Sequence, residues 1–414
     1  MVTRREFLQR SGLALAAGAI LPDVFRQLTP VIEAKGVTSS YGDDTILIVV
    51  QMQGGNDGLN TVVPFGIDGY HDARPTIGIK DSDVLLLSDT IGLHPAMTAL
   101  HDLYQAGQVA IVQGVGYPGQ SETLSHFRAT DIWLSGAPDR YETNGWLADY
   151  LAATDDAVTD PLFAASVTDT LSHALTGRGI TVPNVTSIPA YQVRTDPRYA
   201  NDRATKLGYV EWASAQDYSK SPLQDWIART TATAVTTSEN VQAVVKGYST
   251  EVEYPKFSLA TSLQTVAQLL SGAMGTRIYF VTFGGFDTHA NQPNQHANLL
   301  GGLSNSVAAF LQDAARFGIA DRILLLTFSE FGRRVHENGS QGTDHGTAAP
   351  MFVIGSRVKG GLYGDHPSLT DLDANKNLKY AIDFRSVYGT VLEGWLGADQ
   401  EAVFGTRYES VGFI

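Results

Sequence analysis

Four continuous apolar runs punctuate the chain: TILIVVQMQGG, QVAIVQGVGY, TRIYFVTFGG and DRILLLTFSEFG, with a shorter fifth, APMFVIG, behind them. None alternates apolar with polar positions. Each therefore reads as a strand buried on both faces, and the glycines that close most of them mark the turns. Between the runs the apolar positions recur at helical spacing, as in HPAMTALHDLYQAG, SLATSLQTVAQLLSGA, HANLLGGLSNSVAAFLQDAARFG and DFRSVYGTVLEGWLG. Strand and helix in repetition predict an α/β fold of three layers, α/β/α, with a mostly parallel central sheet covered by helices. The stretch from about 160 to 257 is richer in Thr, Ser and Ala, and reads as a helical insertion over that sheet. No internal repeat interrupts this pattern.

In such sheets ligands sit where the loops leave the carboxyl ends of the strands, and the polar residues of this chain gather there. GGNDGLNT, behind the first run, carries Asn56, Asp57 and Asn60; SETLSHFRATD, behind the second, carries Ser121, Ser125, His126, Arg128 and Asp131. GFDTHANQPNQH behind the third supplies Asp287, His289, Asn291 and His296, and SEFGRR behind the fourth supplies Glu330, Arg333 and Arg334. Asp344 and His345 stand just before the fifth. A buried strand gains nothing from carboxylates and imidazoles at its end unless they meet a charge or a metal.

Composition narrows the choice. The net charge of −14, with no dense basic run, excludes a nucleic-acid partner, which requires clustered cations. The chain has no cysteine, so disulfides, thiolate metal sites and thiol nucleophiles are excluded together. What remains is a divalent cation (Zn, Mn or Ca) on oxygen and imidazole ligands, with Asp57, Asp287, His289, Glu330 and His345 as candidates. Ser125, at the start of the helix predicted from LSHFRATDIWLSG, is placed either to cap that helix or to act as a nucleophile beside the cation. Ser121 is a second candidate. Arg128 and Arg333 would neutralise charge in a transition state, and Asn56 and His126 would contact substrate. His296 faces either the site or the following helix. His71, His94, His101, His173, His336 and His366 are left out of the site.

The first 30 residues read as an export leader: Thr3, Arg4, Arg5, Phe7 and Leu8 match the twin-arginine consensus, and the apolar run Gly12–Leu21 is too short to span a bilayer. Residues 31–43 then form a polar linker, and 44–414 the α/β domain. The expected partner for export is the Tat translocase, and the expected location is periplasmic or extracellular.

In that order, QMQGGNDGLNTVVP, SHFRATDIW, GFDTHANQ, LLLTFSEFGRRV and DHGTAAPMFVIG resemble the bacterial family called domain of unknown function 1501, itself similar to a distant branch of the alkaline phosphatase and sulfatase superfamily. The resemblance implies an alkaline-phosphatase-like fold and hydrolysis of phosphate or sulfate esters at a metal site. It further implies Asp57, Asp287, His289 and His345 as metal ligands and Ser125, or Ser121, in the region of the nucleophile. Two positions depart from the superfamily pattern. Asn291 stands where a histidine is usual, and Glu330-Phe331 replaces an Asp-His pair, which puts a second metal in doubt. The expected function is an exported metal-dependent ester hydrolase, with small-molecule or polymeric esters as substrate. The alternative is a non-catalytic envelope scaffold that keeps the fold and one metal. A serine esterase is disfavoured because G-x-S-x-G is absent.

Overall fold

The computed structural model describes residues 45–154, 160 and 162–414. The leader and linker expected at 1–43 lie outside the described residues. Among the described residues eleven strands follow in chain order: β1 (Ile46–Gln53), β2 (Val62–Val63), β3 (Leu85–Leu86), β4 (Gly92–Leu93), β5 (Val109–Gly116) and β6 (Ala164–Val167), then β7 (Ile278–Gly284), β8 (Ile323–Phe328), β9 (Ala349–Ile354), β10 (Gly361–Tyr363) and β11 (Ile382–Asp383). The main sheet runs β10-β5-β9-β8-β1-β7-β6, with β11 also on β5; β2, β4 and β3 form a small separate sheet.

The five apolar runs are β1, β5, β7, β8 and β9. The sheet is mostly parallel: β1 pairs in parallel with both β7 and β8, and β6 continues beyond β7. β9 is the exception, antiparallel to β5 on one side and to β8 on the other. Because it runs backwards, its first residues lie beside the carboxyl ends of its neighbours. His345, four residues before it, is thereby delivered to the same edge as the loops behind β1, β5, β7 and β8.

Both faces of the sheet are covered, as continuous apolar strands require. Along β1 the side chains alternate between two cores: Ile46, Ile48, Val50 and Met52 pack with Leu259, Leu263, Leu300 and Leu303, while Leu47 and Val49 pack with Trp133, Trp146 and Trp395. The first core is closed by the helices Thr98–Gln105, Ser258–Ser271 and Gln292–Arg316. The second is closed by His126–Ser135, Trp146–Ala152 and Phe384–Gly394. The stretch expected as a helical insertion holds the helices Asp202–Ser214 and Pro222–Val244, and it also gives β6 to the sheet. Among the described residues no helix is long and apolar enough to cross a membrane.

Candidate metal centre

Two glycines make the site possible. After β1 the chain turns through Gly54 (φ 118°) and Gly55 (φ 78°), a region that side chains rarely adopt. A Cβ at Gly54 would stand 2.4 Å from the backbone nitrogen of Asp287, and one at Gly55 would stand 2.2 Å from the Phe331 ring. The loops behind β1, β7 and β8 close on one another only because neither position carries a side chain.

Into this junction three imidazoles converge on one carboxylate. Nε2 of His289 lies 3.0 Å from Oδ1 of Asp287, Nε2 of His345 lies 3.3 Å from the same oxygen, and Nε2 of His126 lies 3.5 Å from Oδ2. The opposite nitrogen of each ring is committed elsewhere. Nδ1 of His126 is 2.9 Å from Oε1 of Glu330, Nδ1 of His289 is 3.5 Å from Oδ1 of Asp344, and Nδ1 of His345 donates to the Leu124 carbonyl at 2.8 Å. Each ring is oriented from outside, the arrangement that holds metal-ligating histidines in place. His126, Asp287 and His345 each offer a ligand atom within 4.8 Å of the other two. His289 stands beside them, its Nε2 3.0 Å from that of His345.

The electrostatics follow from the neighbours. Burial raises the Asp287 carboxyl pKa, but the hydrogen bond and charge of Arg333 outweigh it and hold the group below the ordinary carboxylate range. His126 is pushed up, chiefly by its hydrogen bond to Glu330. His345 is pushed down, chiefly by burial. Asp344 is held low, first by the hydrogen bond from Asn338.

The remaining sequence candidates occupy other posts. Asp57 is fully buried and does not face the cluster: Arg74 grips both its oxygens, at 2.5 and 2.9 Å, and Gln292 donates to it as well. Its balancing cation is a guanidinium, whose charge and hydrogen bond outweigh burial and hold the carboxyl low. Glu330 holds His126 and the Gly54 N–H from behind the cluster. Asn56, assigned to substrate, is buried, accepting from Thr61 and facing Nε2 of His296 at 3.0 Å. His296 belongs to this internal network and not to the cluster.

Both arginines are held by partners within the chain. Arg128 turns away from the centre, pairs with Asp131, donates to the carbonyls of Ala137, Pro138 and Arg140, and lies over the Tyr141 ring. Arg333 lies buried under the cluster, where its donors go to the carbonyls of Gly54, Gly55, Phe286 and Thr343 and to Asp287 at 2.7 Å. It fixes the carboxylate, and its Nη1 also lies 3.4 Å from Nε2 of His289. Ser121 accepts from Asn375 and Asn377, away from the histidines. Ser125 is exposed at the N-cap of the helix His126–Ser135, and its side chain makes no cap hydrogen bond. It lies between Leu124, whose carbonyl anchors His345, and His126, which belongs to the cluster.

Sequence reasoning missed Arg74, which sits in a loop with no motif around it, and the anchoring role of Leu124, which is a backbone carbonyl and leaves no signature. It placed Asp344 near the site without a role.

A family described as "Protein of unknown function (DUF1501)" matches residues 132–407. No curated protein matches the chain in sequence. Among solved structures, the C-terminal periplasmic domain of EcEptC from Escherichia coli, in complex with Zn, aligns at 11% identity over 76% of this chain and 74% of that one, with a TM-score of 0.36. The PsFucS1 sulfatase from Pseudoalteromonas sp. aligns at 10% identity over 98% of this chain and 74% of its own, with a TM-score of 0.37. The phosphonate monoester hydrolase of Agrobacterium radiobacter aligns at 9% identity over 89% and 79%, with a TM-score of 0.34. Likenesses at this level say nothing of activity.

Proposed function

We propose that this chain, which belongs to the DUF1501 family, is a metal-dependent hydrolase of phosphate or sulfate esters. One observation carries the reading: three imidazoles, each anchored through Nδ1, present Nε2 to a single carboxylate. Nε2 of His289 and of His345 face each other at 3.0 Å. Oδ1 of Asp287 lies within 3.3 Å of both, so three atoms of the kinds that ligate a cation meet at one spot. A bound cation would be held by all three.

The donor set fits a borderline ion. Nitrogen-rich ligation by His126, His289 and His345 with Asp287 suits zinc or manganese, whereas calcium takes six to eight oxygens. When bound, such an ion supplies Lewis-acid polarisation of an ester oxygen. The chain's own residues do the rest. Asp287 is kept ionised by Arg333, and Glu330, Asp344 and the Leu124 carbonyl hold the rings in register. The uncapped first turn of the helix His126–Ser135 offers backbone N–H groups to the anionic oxygens of a phosphoryl or sulfuryl group. Ser125 Oγ, uncommitted at that turn, is the nucleophile that would attack phosphorus or sulfur as the alcohol departs. Export through the Tat pathway, to the periplasm or beyond, completes the proposal on the strength of the leader.

The scaffold reading draws support from Asp57, which is closed by Arg74 and leaves room for one cation centre, not two. Turnover decides between them. The zinc- or manganese-loaded protein is assayed against phosphate monoesters, diesters, phosphonates and sulfates, alongside His345→Ala. Hydrolysis that disappears in the variant is expected. An inert wild type across the whole panel, or a variant as active as wild type, defeats the proposal.

A further inference from the structure

Beside the histidine cluster an open cleft runs along the carboxyl ends of β1 and β7. It is lined by Gln51, Gln53, Phe127, Thr130, Gly284 and Gly285, and shares His126, Asp287 and Glu330 with the centre. Phe127 is 91% exposed although it follows His126 directly in the chain. Its ring sets an apolar face on the wall of the cleft, beside the polar centre.

The cleft's chemistry restricts that partner. No lysine or arginine lines it, and two carboxylates stand at its inner end. A second anionic group on the substrate would find repulsion there and no counter-charge. The side-chain amides of Gln51 and Gln53 make no hydrogen bond to another described residue, and both are uncharged. Gly284 and Gly285 put no side chain into the space, and at Gly285 the backbone φ of 109° excludes a larger residue.

We propose that this cleft is a leaving-group subsite that takes an uncharged alcohol with a flat apolar face, stacked on Phe127 with its polar edge toward the glutamine amides. The inference rests on the ester-hydrolase reading for which end of the substrate faces the centre. It names what the other end is. Phe127 touches substrate in this scheme but makes or breaks no bond.

The test uses binding, so that it stands apart from turnover. Calorimetry on the zinc-loaded full chain compares phenylphosphonate, methylphosphonate and 4-carboxyphenylphosphonate with wild type and Phe127→Ala. Wild type is expected to bind phenylphosphonate about five- to tenfold more tightly than either of the others, the scale of one aromatic contact. Phe127→Ala should abolish that preference while leaving methylphosphonate binding unchanged. Phe127→Tyr should keep it. Equal affinities in wild type, a preference that survives Phe127→Ala, or no binding of any phosphonate overturns the subsite. If the preference holds but no ester is turned over, the hydrolase reading falls and the subsite remains as a binding site.

Discussion

Nε2 of His289 and Nε2 of His345 lie 3.0 Å apart, and both face Oδ1 of Asp287. Three atoms of the kinds that ligate zinc thus meet at one spot. The protein is therefore expected to take up one divalent ion, and His289→Ala, His345→Ala and Asp287→Ala are each expected to weaken it. The loss should exceed the roughly 10–100-fold that removal of an outer-shell partner costs. Elemental analysis after dialysis against zinc, with calorimetric titration, checks this; full occupancy in Asp287→Ala would refute it.

Glu330 sets the basicity of His126. Because its hydrogen bond and charge raise the imidazole pKa, Glu330→Gln should lower it. The sign is direct: a weaker acceptor stabilises the imidazolium less. Proton NMR titration of the metal-free protein reads the shift, and an unchanged His126 midpoint contradicts the assignment.

Asp57 and Arg74 make a different prediction. Both side chains are fully buried, and removing one leaves the other charged and unpaired. Arg74→Ala should lose about 3–5 kcal/mol of stability. Metal content per folded molecule should stay at the wild-type value for both Arg74→Ala and Asp57→Ala, since neither side chain reaches the ion. Denaturant titration and metal analysis together test the pair. A stable Asp57→Ala that loses its metal would restore Asp57 as a ligand.

Acid should destabilise the fold before the carboxylates titrate. Burial depresses His296 to about 3 and His94 to about 4. Below the unfolded value of about 6.5 the unfolded chain binds protons that the folded chain refuses. Stability contributed by these neutral rings is thus full above that pH and falls as pH drops from about 6.5 toward 4, at about 1.4 kcal/mol per unit for each ring. Urea midpoints at pH 7 and pH 5 measure it; His296→Gln should flatten the slope.

Ser125 can be tested against its other role. A working N-cap is worth about 1 kcal/mol, but this hydroxyl makes no cap bond. Ser125→Ala should change stability by less than about 0.5 kcal/mol. Turnover should fall by about 100-fold or more, since the nucleophile of a covalent mechanism is gone. A variant that is less stable yet equally active assigns Ser125 to the cap instead.

The five apolar runs announced their strands because burial on both faces leaves no polar position to blur the signal. The short strands β10 and β11, three and two residues long, carry no such pattern, being held by their register on β5. The direction of β9 was equally silent. Apolar residues in a strand buried on both faces look alike whichever way it runs, and direction is decided by the path of the preceding loop. At the site, Asp287, His289 and His345 were legible because ionisable residues at strand ends are conspicuous, and the structure brings them together with His126. The partner of Asp57 escaped the sequence for a physical reason: a motif shows that a buried carboxylate needs a cation but not which one. Arg74, 17 residues away, answered that need. Arg128 and Arg333 show the same blindness for donors, because a guanidinium satisfied by backbone carbonyls has partners that no sequence names.

Arg333 has one more consequence. By tying together the chain behind β1, β7 and β8, it holds the histidine cluster in place through contacts of the protein alone. The protein should then differ from small zinc modules that unravel when stripped: a chelator would empty it and leave a folded shell, ready to be recharged.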